Sequence, residues 1–173
     1  MEAIEIRPAE KQDASGIAKV HIETWQYAYK GLMPDNFLNN LSIEKRTKRW
    51  EETLSNPKPE SQSYVAITDN KVIGFCSVGR CRDKDMRETT GELYAIYVDS
   101  NFMNKGAGSA LQEKGLQYLR EKGYKKATLW VLTSNNKTIK WYENKGWRIE
   151  GKTKTANMRG FQLHETRYIN DLI

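Results

Sequence analysis

Cysteine is nearly absent: Cys76 and Cys81 are the two in 173 residues. Two are too few for a disulfide framework. No His or Cys lies close enough in sequence to suggest a zinc site, so no metal is expected. Both read as small residues in or beside a strand. Long apolar runs are missing as well. No stretch approaches the roughly 20 consecutive apolar residues of a membrane span, and the start Met1-Glu2-Ala3-Ile4-Glu5 lacks the basic-then-apolar order of a signal peptide. The expectation is a cytoplasmic protein without a membrane partner. Blocks of like charge are also lacking. The 28 Lys and Arg against 22 Asp and Glu give +6, spread along the chain. That balance suits an anionic ligand and does not require nucleic acid. No internal repeat or low-complexity tract is present.

What is there is 38% hydrophobic, with five tryptophans, which is enough for one core and short for two. A single domain over residues 1–173 is expected. Residues 3–8 alternate apolar and polar side chains up to Pro8 and predict a first strand. Ala14, Ile17, Ala18, His21, Trp25 and Ala28 then recur at helical spacing, with Asp13 as the cap and Gly31 with Pro34 as the end. His21 lies on that apolar stripe and reads as a core histidine. Ser42 caps a second helix with Ile43, Thr47, Trp50 and Leu54 on one face. Residues 64–68 and 72–78 flank Asp69-Asn70-Lys71 as a hairpin, and 79–90 form a charged, mobile loop.

Residues 93–98 are apolar nearly throughout, as in a strand covered on both faces. A glycine-bearing turn leads into a helix with Ala107, Ala110, Leu111, Gly115, Tyr118 and Leu119 on its buried stripe. A buried strand at 127–132, a short helix from about 135 to 145 and an antiparallel pair at 147–155 and 161–169 complete the chain. The order β-α-α-β-β-β-α-β-α-β-β describes an α/β domain with a mixed sheet.

The chemistry-bearing stretch is Asn104-Lys105-Gly106-Ala107-Gly108-Ser109, between a buried strand and a helix start. The first amides of a helix lack internal acceptors and carry partial positive charge, so an anion belongs there. The glycines permit close approach to phosphate oxygens, and Lys105 adds a formal charge. A dinucleotide fingerprint wants Gly or Ala where Leu111 stands, and a P-loop wants Gly-Lys-Ser/Thr; both fail on residues.

Met103-Asn104-Lys105-Gly106-Ala107-Gly108 resembles the Gln/Arg-x-x-Gly-x-Gly/Ala turn of the GNAT superfamily of N-acetyltransferases, with Met103 in place of the leading polar residue. A second stretch runs from Asn135 through Trp141-Tyr142-Glu143 to Gly146-Trp147. It is similar to that family's Asn-x-x-Ala-x-x-Phe-Tyr-Glu-x-x-Gly-Phe. The resemblance covers essentially the whole chain. It implies a mostly antiparallel twisted sheet of about seven strands with about four helices, splayed between the fourth and fifth strands.

It further implies acetyl transfer from acetyl-CoA, a co-substrate, to a primary amine by direct attack in a ternary complex. The amine's ordinary pKa near ~10.4 means that a base must remove a proton first. Glu92, fourteen positions before Gly106, matches the general base of several members, acting directly or through water. By the same resemblance the amides around Ile96, Tyr97 and Val98 would hold pantetheine and the acetyl carbonyl. Asn135 would bond the pantetheine arm, and Tyr142 would protonate the departing thiolate. Direct transfer leaves Cys76 and Cys81 without a covalent role.

The run from Trp25 to Pro34 resembles a Trp-x-x-Ala-Tyr-x-Gly-x-x-Pro pattern in one GNAT branch. Trp25 and Tyr29, one helical turn apart, are candidates for an aromatic wall at the acceptor site. The acceptor is expected to be a small-molecule amine, with protein or peptide amines as the alternative. A CoA-sensing or nucleic-acid-binding module without turnover is the reading from another class. The family's habits also make a homodimer an expectation.

Overall fold

The computed structural model describes residues 3–172. The elements run β1 (Glu5–Pro8), α1 (Ala14–Ala28), α2 (Asp35–Asn39), α3 (Ile43–Ser55), β2 (Ser61–Thr68), β3 (Lys71–Arg80), β4 (Thr90–Val98), α4 (Ala107–Glu121), β5 (Lys126–Leu132), α5 (Asn136–Glu143), β6 (Arg148–Met158) and β7 (Phe161–Asp171). The seven strands form one sheet in the order β1-β2-β3-β4-β5-β7-β6. All neighbours are antiparallel except β4 and β5. The mixed, mostly antiparallel sheet matches the expectation. The short α2, opened by Pro34, is an additional helix that five residues were too few to announce.

Alternation along the strands divides the core between two faces. Cys76, Val78, Leu93 and Leu129 meet Leu111, Leu116 and Leu119 of α4 on one face. Val65 and Phe75 meet Ile17 and Val20 of α1 on the other, with Trp50 of α3 beside them. A third cluster joins α2 to the β6–β7 hairpin through Met33, Leu38, Leu132 and Leu163. Burying each of these large side chains contributes about 1.5–3 kcal/mol, so the sheet is held by helices on both sides.

Local chemistry explains the boundaries. The Ser42 hydroxyl accepts from the Lys45 N–H at 3.2 Å and starts α3 as expected. Asp13 does not cap α1 with its side chain; its carboxylate takes two bonds from Arg7, at 2.8 and 2.9 Å, and one from the Glu10 N–H at 2.7 Å. A charge-assisted fork outcompetes a lone amide. The β2–β3 turn is two residues, Asp69 and Asn70, both at positive φ, so Lys71 belongs to the strand.

The segment after β3 is tied down, contrary to its reading as mobile. Arg82 pairs with Glu92 at 2.6 Å, while Asp83 and Asp85 reach Arg167 at 3.1 and 2.9 Å. Arg167 is 1% exposed and is bonded also by Glu150 at 3.0 Å. The loop's charges find partners on β4, β6 and β7, which composition alone does not show.

Candidate active site

The site grows from the place where β4 and β5 part. Their pairing consists of three parallel rungs, Thr90–Lys126, Gly91–Ala127 and Glu92–Thr128. Beyond Glu92, β4 keeps β3 on one side while its other edge is left without a strand. A cavity of about 600 Å³ opens there, lined by Ile96, Tyr97 and Val98 of β4. The Thr24 hydroxyl donates to the Val98 carbonyl at 3.4 Å and brings the end of α1 over the gap.

At one end of this cavity stands the start of α4. Gly106 has φ +89°, a left-handed conformation that side chains resist, and it turns the chain into the helix. The first helical bond runs from the Ala110 N–H to the Gly106 carbonyl at 3.0 Å. The amides of Ala107, Gly108 and Ser109 therefore have no acceptor among the described residues. A Cβ at Gly108 would lie 3.4 Å from the Trp141 ring, which also lines the cavity, so glycine keeps that passage open. Free amides, a helix dipole and close backbone access suit a pyrophosphate.

α5 supplies the opposite wall. The Asn135 Oδ1 caps this helix by accepting from the Thr138 N–H at 3.4 Å, and its Nδ2 keeps no partner among the described residues. Tyr142 is 7% exposed and lines the cavity, and its hydroxyl has no hydrogen-bond partner among the described residues. Burial, then the nearby Tyr97 and Cys76, push its pKa far above the ordinary tyrosine value. The proton stays on that oxygen across the physiological range. The Trp147 indole, donating to Gln112 Oε1 at 3.2 Å, locks the end of α5 to α4.

The description "Acetyltransferase (GNAT) family" fits the chain over residues 22–147. An uncharacterized N-acetyltransferase, YuaI, of Bacillus subtilis is 32% identical over 79% of this chain and 76% of its own length. The chain belongs to the GNAT acetyltransferase family. L-amino acid N-acetyltransferase AaaT of Escherichia coli is 26% identical over 98% of both chains. Spermidine N(1)-acetyltransferase of Thermoplasma acidophilum is 25% identical over 86% of this chain and 90% of its own. PaiA N-acetyltransferase of Thermoplasma acidophilum, solved in complex with coenzyme A, shares the fold with a TM-score of 0.76 at 19% identity, covering 98% and 99% of the two chains.

As a GNAT N-acetyltransferase, the protein uses acetyl-CoA, and the cradle at α4 fits its pyrophosphate. Of the residues expected at that cradle, Asn104, Gly106, Gly108 and Ser109 line the cavity. Two do not. The Ala107 side chain turns into the core at 1% exposure, and its amide has no acceptor among the described residues. Lys105 lays its Nζ over the Phe102 ring at 5.0 Å.

Glu92 is not brought to the cavity. It sits on the last rung of the β4–β5 pairing, 1% exposed, and accepts from the Arg82 N–H, Nε and Nη2 at 3.0, 3.2 and 2.6 Å. Trp25 and Tyr29 of the GNAT enzyme are likewise absent from the lining of this cavity, where the neighbouring Tyr27, Ala28 and Lys30 stand instead. Trp25 faces a second cavity behind them. Cys76 is fully buried, donates to the Leu111 carbonyl at 3.2 Å and has its thiol pushed up to about 12 by burial. Cys81, also raised by burial, pairs with Thr128 at 3.3 Å.

The structure also joins residues that spacing does not connect. The hydroxyls of Tyr29 and Tyr97 lie 3.4 Å apart. Burial raises both pKa values, and the carboxylate of Glu165 on β7 acts on both. Leu163 packs in one cluster with Tyr29, and Glu165 follows two residues on, on the same face of β7. Glu165 is paired with Lys154 at 3.6 Å. His21 is the core histidine expected, stacked on Tyr97 with ring centroids 5.2 Å apart. Burial, then Arg46, lower its pKa to about 3, so it stays neutral at physiological pH.

Proposed function

We propose that this enzyme acetylates the primary amine of a small molecule, with acetyl-CoA and acceptor bound together. The observation that carries the reading is the Tyr142 hydroxyl, without a hydrogen-bond partner among the described residues, in a cavity between the open edge of β4 and the α4 amides that likewise lack an acceptor there. Relatives named for spermidine and for L-amino acids support a small-molecule acceptor.

Bound acetyl-CoA supplies an activated acyl thioester. The α4 amides hold its pyrophosphate, and the Asn135 Nδ2 and the edge of β4 orient its arm. An amide of Ile96, Tyr97 or Val98 donates to the acyl oxygen as negative charge develops there. Tyr142 then gives its proton to the departing thiolate. Removal of the ammonium proton falls to a carboxylate outside the cavity lining, and we take Glu165 over Glu92. Its charge is felt at the tyrosine cluster, whereas both Glu92 oxygens are held by Arg82.

Thiol release across a panel of small amines tests this reading. Wild-type enzyme should turn over at least one of them. Tyr142→Phe should lower kcat by about 10²-fold or more while acetyl-CoA binding stays near wild type. Turnover indifferent to that substitution would remove Tyr142 from the mechanism, and tight CoA binding without turnover would favour a sensor.

A further inference from the structure

Against Trp25 lies a second cavity of about 400 Å³, between α2, α3 and the tip of the β6–β7 hairpin. Trp25 and Phe37 form its apolar base, with ring centroids 6.5 Å apart. Around them stand Lys45, Arg46, Arg49 and Arg159. None of these four cations has an ion pair among the described residues, while of the arginines elsewhere Arg7, Arg80, Arg82, Arg120, Arg148 and Arg167 are paired and Arg87 is not.

Lys45 and Arg49 are four apart on one helix, where like charges repel. Arg46 is half-buried over the Trp25 ring at 6.0 Å, and burial followed by Arg49 lowers its pKa. Concentrating unpaired positive charge around a concave apolar base is unfavourable unless something negative settles there. The cavity also adjoins the reaction site. Trp25 meets Tyr29 edge-on with ring centroids 5.3 Å apart, and the Tyr29 hydroxyl lies 3.4 Å from that of Tyr97, which lines the acetyl-CoA cavity.

We propose that the acceptor is a small amine bearing a carboxylate, and that Arg46 and Arg49 hold that carboxylate in this second cavity while the amine extends toward Tyr29 and Tyr97. This rests on the acetyltransferase reading above. Planar guanidinium forks match the two oxygens of a carboxylate, and the aromatic base receives the apolar part between carboxylate and amine. A polyamine would bring cations to a site that already has four unpaired ones.

The test compares matched acceptors, an α-amino acid, its carboxamide and a diamine, and uses inorganic phosphate as a competing anion that carries no amine. Two readouts are used, thiol release and the intrinsic fluorescence of Trp25 and its neighbours. The amino acid should exceed its carboxamide by about tenfold or more in kcat/KM. Arg46→Met and Arg49→Met should erase that preference without changing KM for acetyl-CoA, and Arg46→Lys should recover part of it. A carboxamide or diamine used as well as the amino acid by wild-type enzyme would overturn the proposal, whatever the variants do. So would folded variants that keep the preference. Tighter binding of phosphate than of the amino acid would overturn the carboxylate assignment. If no amine is acetylated but the amino acid still perturbs fluorescence in an Arg46-dependent way, the anion site stands and the transferase reading falls. If it perturbs neither readout, the anion site falls.

Discussion

The hydroxyl oxygens of Tyr29 and Tyr97 meet at 3.4 Å between α1 and β4, with Tyr97 facing the cavity beside the open edge of β4 and Tyr29 facing Trp25. Both protons are retained at neutral pH, because burial raises both pKa values. The pair can therefore accept from an ammonium and reorient as it loses its proton. Tyr29→Phe should raise KM for the amine by about threefold to tenfold while leaving KM for acetyl-CoA unchanged. Steady-state kinetics with each substrate varied separates the two effects.

Glu165 and Glu92 can be distinguished by the same assay. Glu165→Gln should lower kcat/KM for the amine by about 10²-fold or more if it removes the ammonium proton. Glu92→Gln should leave kcat close to wild type and lower thermal stability instead, because it takes a partner from Arg82 and from the Arg82 N–H. A large kcat loss in Glu92→Gln with an inert Glu165→Gln would reverse the assignment.

What could be read in the chain was whatever its chemistry keeps local. The Gly106-Ala107-Gly108 turn, the Tyr142 position and the apolar β4 lie in contiguous stretches with their own spacing, and the cavity lining includes residues from each. Glu165 and Arg46 carry no such signature. Glu165 acts on Tyr29 through a relation between residues far apart in sequence, since Leu163 on the same face of β7 packs in one cluster with Tyr29. Arg82 lies ten residues before Glu92 in a loop whose charges looked solvated. Asp13 looked like a helix cap for the same reason: spacing cannot show that Arg7 offers it a better partner.

Arg167 should be the costliest single charge to remove. Arg167→Met strips Asp83, Asp85 and Glu150 of their common partner and leaves a buried apolar stem among carboxylates. Breaking such a buried network costs about 3–5 kcal/mol, or roughly 6–20 °C in Tm for a chain of this size. Thermal melts should show that loss, and limited proteolysis should begin to cut residues 81–89. An unchanged melting temperature would show that the network contributes nothing net.

Acid should weaken the fold partly through His21. Its pKa falls from the ordinary value to about 3 on folding, so between those limits the unfolded chain binds a proton that the native one refuses. This contribution is fully present near neutral pH and is lost as pH drops toward about 3. Its Nδ1 has no hydrogen-bond partner among the described residues, so His21→Phe sacrifices no bond there. Denaturant melts of that variant should lose less stability than wild type between pH 6 and pH 4. Asp85 and Glu150, held below their usual range mainly by Arg167, add a loss at lower pH in both proteins.

The three rungs between β4 and β5 mean that the sheet is two half-sheets sharing a short seam. A ligand lying along the open edge of β4 completes the missing part of that seam and turns two loosely coupled halves into one mechanical unit. Amide exchange should register this as slowed opening on β5 and β7 as well as on β4, at positions no ligand atom touches. The substrate would then act as a structural member of the enzyme for as long as it is bound.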